Sequence, residues 1–83
     1  MTDAELRTVV NEALKRIAPE ADPSSVPGGV DLREELDIDS MDFLNFIIQL
    51  HERLHVDIPE TEYPRYFTLD GCVRELRARL GSP

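Results

Sequence analysis

The sequence predicts an all-α fold: a small four-helix bundle with a long first loop and a short third helix. Three segments have apolar residues at intervals of three and four, which is the spacing of one face of an α-helix. The chain has 83 residues. A chain of this size buries only about 60% of its unfolded surface, which leaves no room for a second core. We therefore expect a single domain over residues 1–83.

The first helix begins at a capping box, Thr2-Asp3-Ala4-Glu5, in which the two end residues bond to each other's backbone N–H groups. Its apolar face consists of Leu6, Val9, Val10, Ala13, Leu14 and Ile17. Pro19 ends the helix. A long loop follows from Ala18 to Glu35, because this stretch is rich in proline and glycine and poor in apolar residues. The residues expected to anchor the loop are Val26, Val30 and Leu32.

An acidic loop gives way to a helix in the stretch Leu36-Asp37-Ile38-Asp39-Ser40-Met41-Asp42. Asp39 is the expected N-cap, because its carboxylate can accept hydrogen bonds from N–H groups that have no partner within the helix. Asp42 adds a second anion at the positive end of the helix dipole. Ser40 is then the first helical residue, and free N–H groups there favour a phosphate on its hydroxyl. The position suits a phosphorylated or phosphate-linked serine, although many Asp-Ser pairs at helix starts serve in capping only.

The helix from Ser40 to about His55, called the serine helix, has apolar side chains on two opposite faces. The face expected in the core consists of Phe43, Phe46, Ile47, Leu50 and Leu54. The other face, called the Met41 stripe, consists of Met41, Leu44 and Ile48, with Asn45, Gln49 and Glu52 beside it. A small bundle can bury only one of these faces fully. Either the long loop covers the Met41 stripe, or the stripe is a docking surface for other proteins.

After the serine helix, Ile58-Pro59 ends the helical run, and Glu60 to Tyr63 fits one short helical turn before Pro64 interrupts it. Three aromatic residues, called the aromatic group, lie in or just after this segment and either pack into the core or line a cavity: Tyr63, Tyr66 and Phe67. Thr68 caps the last helix, which ends before Gly81. The apolar face of the last helix consists of Leu69, Cys72, Val73, Leu76 and Leu80. Within it, the cysteine is expected to act as a small buried hydrophobe.

The composition narrows the choice of partners and compartment. A net charge of −8 disfavours nucleic acid and anionic membranes and favours a basic protein surface. Cys72 is the only cysteine, so no intramolecular disulfide can form. The first fifteen residues lack the apolar core of a signal peptide, and no stretch is apolar enough to cross a membrane. We expect a soluble, cytoplasmic monomer that binds neither nucleic acid nor membranes.

Asp39-Ser40-Met41 resembles the Asp-Ser-Leu signature that opens the second helix of the acyl carrier proteins. The resemblance extends over most of the chain, because the elements follow one another in the same order: a first amphipathic helix, a long loop, the serine helix, the Ile58-Pro59 pair and a last helix. It implies a bundle of the acyl-carrier type in which Ser40 bears 4'-phosphopantetheine through a phosphodiester, and in which the terminal thiol holds an acyl chain as a thioester. Asp37 replaces a usual glycine and Met41 a usual leucine. Both are tolerable, because Asp accepts a left-handed backbone and Met has a volume close to that of Leu.

The resemblance also implies a carrier and not an enzyme, with a phosphopantetheinyl transferase and acyl-loading and acyl-transferring enzymes as partners. The docking residues that it implies are Met41, Asp42, Leu44, Asn45, Ile48 and Glu52. In the family, carboxylates flank the stripe, whereas this chain has Asn45 and His51 where acids often stand. This departure favours a dedicated fatty-acid, polyketide or related pathway with its own enzymes. An acyl cargo is favoured over a peptidyl one, because no Gly-Gly-x-Ser pattern precedes Ser40, but specialised aminoacyl carriers share the motif.

A different chemistry is suggested by His51-Glu52-Arg53-Leu54-His55, which matches H-E-x-x-H, the zinc-binding helix of metalloproteases. Glu75 follows at an interval that suits a third ligand. The helix is already explained by its core face, however, and Glu75 falls on the polar flank of the last helix. A chain of this size also lacks the walls of a cleft that excludes water from an open zinc position. We expect no metal site, and two surface histidines at the end of the serine helix.

Overall fold

The computed structural model describes residues 1–80. The elements in chain order are α1 (Asp3–Ile17), a 3₁₀ turn (Pro23–Ser25), α2 (Leu32–Glu35), α3 (Ser40–Leu54), a 3₁₀ helix (Glu60–Tyr66) and α4 (Leu69–Leu80). The described residues include no strand, which confirms the all-α prediction. The serine helix is α3, and the predicted short third helix is the 3₁₀ helix Glu60–Tyr66. No helix within residues 1–80 is both long and apolar enough to cross a membrane.

α1 lies at the centre of the bundle and packs against both α3 and α4. It begins at the predicted capping box, in which the Thr2 hydroxyl accepts from the Glu5 N–H at 3.1 Å and the Glu5 carboxylate accepts from the Thr2 N–H at 2.8 Å. The inward side chains of α1 are buried, namely Leu6, Val10, Ala13 and Leu14. A buried leucine of this kind contributes about 1.5–3 kcal/mol by leaving water. Since α1 covers only one side of α3, the path of the loop decides whether the other side is covered.

The first loop is long, as predicted, but its last residues form the single helical turn α2. Asp31 caps this turn by accepting a hydrogen bond from the Arg33 N–H at 2.9 Å. Leu32 is fully buried, and its N–H donates to the carbonyl oxygen of Phe67 at 2.7 Å. α2 is therefore fixed to the far end of the 3₁₀ helix. The sequence contains a signal for this turn, since Asp31 is a good N-cap residue.

The prediction that Pro64 interrupts the third helix is wrong, because the 3₁₀ helix continues from Glu60 to Tyr66 with Pro64 inside it. Proline has a fixed φ close to that of a 3₁₀ helix, so the cost is one missing N–H donor. The segment buries Tyr66 completely and packs against α4. A Cβ on Gly71 of α4 would overlap the carbonyl oxygen of Arg65, so glycine is needed for this close approach.

α4 begins as predicted, with the Thr68 hydroxyl accepting a hydrogen bond from the Gly71 N–H at 2.9 Å. Most of its apolar face is in the core, namely Leu69, Cys72 and Leu76 with Val73 at the edge. Leu80 does not belong to this buried face, because it lies at the end of the helix and is 39% exposed. The expected helix stop at Gly81 lies outside the described residues.

Candidate functional site

Ser40 is the first residue of α3 and is exposed. Asp39 is the N-cap, as predicted, and Asp42, expected from the sequence only to add a second anion, completes a capping box with it. The Asp39 carboxylate accepts from the Asp42 N–H at 2.8 Å, and the Asp42 carboxylate accepts from the Asp39 N–H at 3.4 Å. The N–H groups of Ser40 and Met41 donate to no other residue in the described part of the chain. The helix thus begins with two unoccupied donors beside an exposed hydroxyl.

The backbone before Ser40 makes a tight turn that leads from α2 into α3. Asp37 has a φ of 52°, in the left-handed region that Asp tolerates. Ile38 is buried, and its N–H donates to the carbonyl oxygen of Arg33 at 3.1 Å. Asp in place of the usual glycine therefore keeps the turn, as predicted.

The two faces of α3 differ as sharply as the sequence pattern suggests. The core face is buried at Phe43, Phe46, Ile47 and Leu50, and Leu54 packs against it from the edge. The Met41 stripe is open: the exposed fractions are 65% for Met41, 37% for Leu44 and 42% for Ile48. The interpretation that the long loop covers this stripe is therefore wrong. The first part of the loop packs elsewhere, with its 3₁₀ turn against α1, and Arg33 near the end of the loop lines a cleft together with Met41 and Leu44 without covering them.

Polar residues border the Met41 stripe. Asn45 and Glu52 are exposed beside it, while Asp42 is partly buried in the capping box and Gln49 is partly buried. His51 follows Ile48 by three residues and continues the same side of the helix. The border of the stripe thus combines two carboxylates, those of Asp42 and Glu52, with the uncharged amides of Asn45 and Gln49.

An open cleft of ≈ 430 Å³ begins at Ser40 and runs beside the Met41 stripe. The residues that line it are Arg33, Ser40, Met41, Phe43, Leu44, Glu60, Tyr63 and Phe67. Its floor is aromatic, because the ring of Phe43 lies edge-on to Phe67 at 5.1 Å and to Tyr63 at 6.1 Å between centroids. The aromatic group is therefore divided: Tyr66 lies in the core, while Tyr63 and Phe67 line the cleft.

Arg33 is the residue of this site that the sequence analysis did not single out. Its guanidinium carbon lies 3.6 Å from the ring centroid of Phe67, and Asp31 accepts hydrogen bonds from its Nε at 3.1 Å and its Nη2 at 2.7 Å. The hydrogen bond from Arg33 lowers the pKa of the Asp31 carboxyl and raises the pKa of Arg33. No local sequence signal joins Arg33 to Phe67, because the two residues meet only through the tertiary fold.

The two histidines of the H-E-x-x-H match lie on the surface at the end of α3, as predicted. The His51 Nδ1 lies 2.7 Å from the carbonyl oxygen of Val56, and since a carbonyl can only accept, this nitrogen carries a proton. Glu75 instead accepts a hydrogen bond from Arg65 at 3.4 Å. Within residues 1–80, no three His, Cys, Asp or Glu side chains are grouped so that they could hold a metal ion.

A larger cleft of ≈ 630 Å³ lies between α1 and α4, and none of the predicted site residues lines it. Four of its charged residues pair with each other, since Arg7 contacts Asp70 at 3.2 Å and Arg77 contacts Asp3. These two pairs join α1 to α4. We assign this cleft no part in the site at Ser40.

Comparison with known proteins agrees with the geometry at the start of α3. The family model described as the phosphopantetheine attachment site matches residues 4–80. A protein of Lactobacillus acidophilus named acyl carrier protein is 29% identical over 62 residues, which cover 75% of this chain and 78% of that protein. The chain therefore belongs to the acyl carrier protein family, whose members are carrier proteins that bear 4'-phosphopantetheine.

Proposed function

We propose that the Ser40 hydroxyl is the attachment point of 4'-phosphopantetheine, and that the protein carries acyl groups for a dedicated fatty-acid, polyketide or related pathway. The observation that supports this most strongly is the position of Ser40, exposed at the first residue of α3 and at the edge of an apolar cleft. When attached, the group supplies a flexible arm whose thiol holds the acyl chain as a thioester.

The residues at the start of α3 fit a phosphodiester. The carboxylates of Asp39 and Asp42 each accept a hydrogen bond from the backbone N–H of the other residue. Neither carboxylate is hydrogen-bonded to the Ser40 hydroxyl. The unoccupied N–H groups of Ser40 and Met41 lie at the positive end of the helix dipole, which stabilises a negative charge. The cap therefore stabilises the start of α3 and leaves the Ser40 hydroxyl free for modification.

The proposed docking surface is the Met41 stripe together with its polar border, Asp42, Asn45 and Glu52. Three exposed apolar side chains are enough for a small, weak contact whose centre excludes water. Weak contact suits a carrier, because it must leave one enzyme for the next while the covalent arm keeps the cargo at high effective concentration. Asn45 and His51 stand where the family often has acids, which favours partner enzymes with fewer basic residues opposite these positions than general fatty-acid enzymes have.

The test is mass spectrometry of the protein after incubation with coenzyme A and a broad-specificity phosphopantetheinyl transferase. We expect one phosphopantetheine on the wild-type protein, on Ser40, and none on Ser40→Ala. Ser25→Ala is a matched control, because Ser25 is also exposed but lies in the first loop. Modification that persists in Ser40→Ala, or that is lost in Ser25→Ala, contradicts the assignment.

A further inference from the structure

Among the described residues that line the cleft at Ser40, Arg33 is the only cation. Arg33 is connected to the start of α3 through two aromatic rings. Phe43 follows Ser40 by about one turn of α3, and the centroid of its ring lies 5.1 Å from that of Phe67. The guanidinium carbon of Arg33 lies over the Phe67 ring, 3.6 Å from its centroid. A positive charge therefore lies on the lining of the same cleft as Ser40.

Arg33 is held by contacts at one edge and one face of its guanidinium and through the backbone beside it. Asp31 binds the edge of the guanidinium formed by Nε and Nη2, with both carboxylate oxygens engaged. The ring of Phe67 supports its flat face, a cation–π contact. The backbone is fixed too, because the Leu32 N–H donates to the carbonyl oxygen of Phe67 at 2.7 Å.

The opposite edge of the guanidinium, formed by Nη1 and the second hydrogen of Nη2, has no acceptor among the described residues. Such an edge presents two parallel N–H donors, which match two oxygens of a phosphate. Apart from the Arg33–Asp31 pair, the charged residues around the start of α3 include the acidic residues Asp37, Asp39 and Asp42 in the sequence and Glu60 on the cleft. A phosphodiester at Ser40 would be repelled by these carboxylates, and Arg33 offers the opposing charge.

We infer that Arg33 binds the phosphodiester borne by Ser40 and so positions the root of the arm along the cleft. This inference rests on the proposed function, because it requires Ser40 to be the attachment point. Arg33 is a positioning residue: it fixes the direction in which the arm leaves the protein and takes no part in thioester chemistry. The unacylated arm has no other anionic group, so the phosphodiester is the only anion of the arm that Arg33 can bind.

The test is ³¹P NMR of the unacylated, phosphopantetheine-bearing protein, compared with the same protein unfolded in urea. We expect the wild-type resonance to be displaced from its unfolded position, and the larger part of this displacement to be lost in Arg33→Gln. Arg33→Lys should retain part of the displacement, because lysine keeps the positive charge but lacks the two parallel N–H donors of the guanidinium. In ¹⁵N spectra, the Arg33 side-chain resonances of the wild type should also shift when the group is attached.

Arg7→Gln is the matched control, since the Arg7 side chain is 48% exposed against 43% for Arg33 and is likewise paired with an aspartate. It should leave the phosphorus resonance unchanged, and circular dichroism of both unmodified variants should match the wild type. A displacement that survives in Arg33→Gln, or that falls equally in Arg7→Gln, overturns the role of Arg33 while leaving the proposed function intact. Absence of any protein-bound phosphorus in the wild type overturns both.

Discussion

The two faces of α3 are both apolar, yet only one is buried. Phe46 and Leu50 on the core face are fully buried, whereas Met41 is 65% exposed on the opposite face. The difference arises because α1 packs against one side of α3, while the long loop reaches the other side only at a cleft lined by Arg33 and leaves the Met41 stripe exposed. Apolar side chains that the fold leaves uncovered are therefore available to a partner. The same substitution on each face, and a change at the cap where the helix begins, test this comparison.

The largest effect is expected from Leu50→Glu. Leu50 is fully buried in the core cluster, so the substitution places an unpaired carboxylate in an apolar environment. Leaving a buried charge without a partner costs about 3–5 kcal/mol, a large part of the roughly 5–15 kcal/mol by which a small domain is stable. We expect loss of the cooperative thermal transition by circular dichroism. Leu50→Met, which conserves volume, should keep it, and a folded Leu50→Glu would show that this face is not the core.

A smaller effect is expected at the cap. Asp39→Ala removes the acceptor of the Asp42 N–H hydrogen bond and should cost about 1 kcal/mol. For a domain of this size, that lowers the melting temperature by roughly 4–8 °C. Asp39→Asn is the matched control, because asparagine caps helices about as well as aspartate. Equal melting temperatures for Asp39→Ala and the wild type would show that the capping box does not stabilise α3.

The local parts of this structure could be predicted from the sequence. The period of apolar residues identifies α1, α3 and α4, and the N-cap role of Asp39 follows from its residue type at the start of the apolar period. The left-handed backbone at Asp37 could be anticipated only from the resemblance to a family that usually has glycine there, since the tolerance of Asp for that region permits the turn but does not predict it. Each of these features depends on residues that are close together in the sequence.

Features that depend on contacts between distant residues could not be predicted. The sequence leaves open whether the loop covers the Met41 stripe, because the path of a proline-rich loop is set by its tertiary contacts. The position of Arg33 over Phe67 has the same cause, as it needs α2 to be fixed to the end of the 3₁₀ helix. The expectation that Pro64 stops the third helix rests on the behaviour of proline inside α-helices, where its ring clashes with the carbonyl group four residues earlier. In the 3₁₀ helix that forms, the fixed φ of proline fits and the cost is one missing N–H donor.

The smallest effect on stability, and the most informative one, is expected from Ile48→Glu. Ile48 is 42% exposed on the Met41 stripe, so a carboxylate there stays in water and should change the free energy of unfolding by no more than about 0.5 kcal/mol. Loading should nevertheless slow, because the charge would have to be desolvated against an apolar pocket of the transferase or the acyl-loading enzyme. The measurement is the initial rate of phosphopantetheine transfer at limiting carrier, with the melting temperature taken in parallel.

Thr8→Glu is the control for added charge, because it places the same carboxylate at an exposed position of α1. It should leave both the loading rate and the melting temperature close to those of the wild type. If Ile48→Glu unfolds the protein as Leu50→Glu does, the Met41 stripe is buried like the core face and the two faces of α3 do not differ in exposure. If Ile48→Glu is stable and is loaded as fast as Thr8→Glu, the Met41 stripe is exposed but is not the surface that the transferase binds, and the docking surface must lie elsewhere around Ser40.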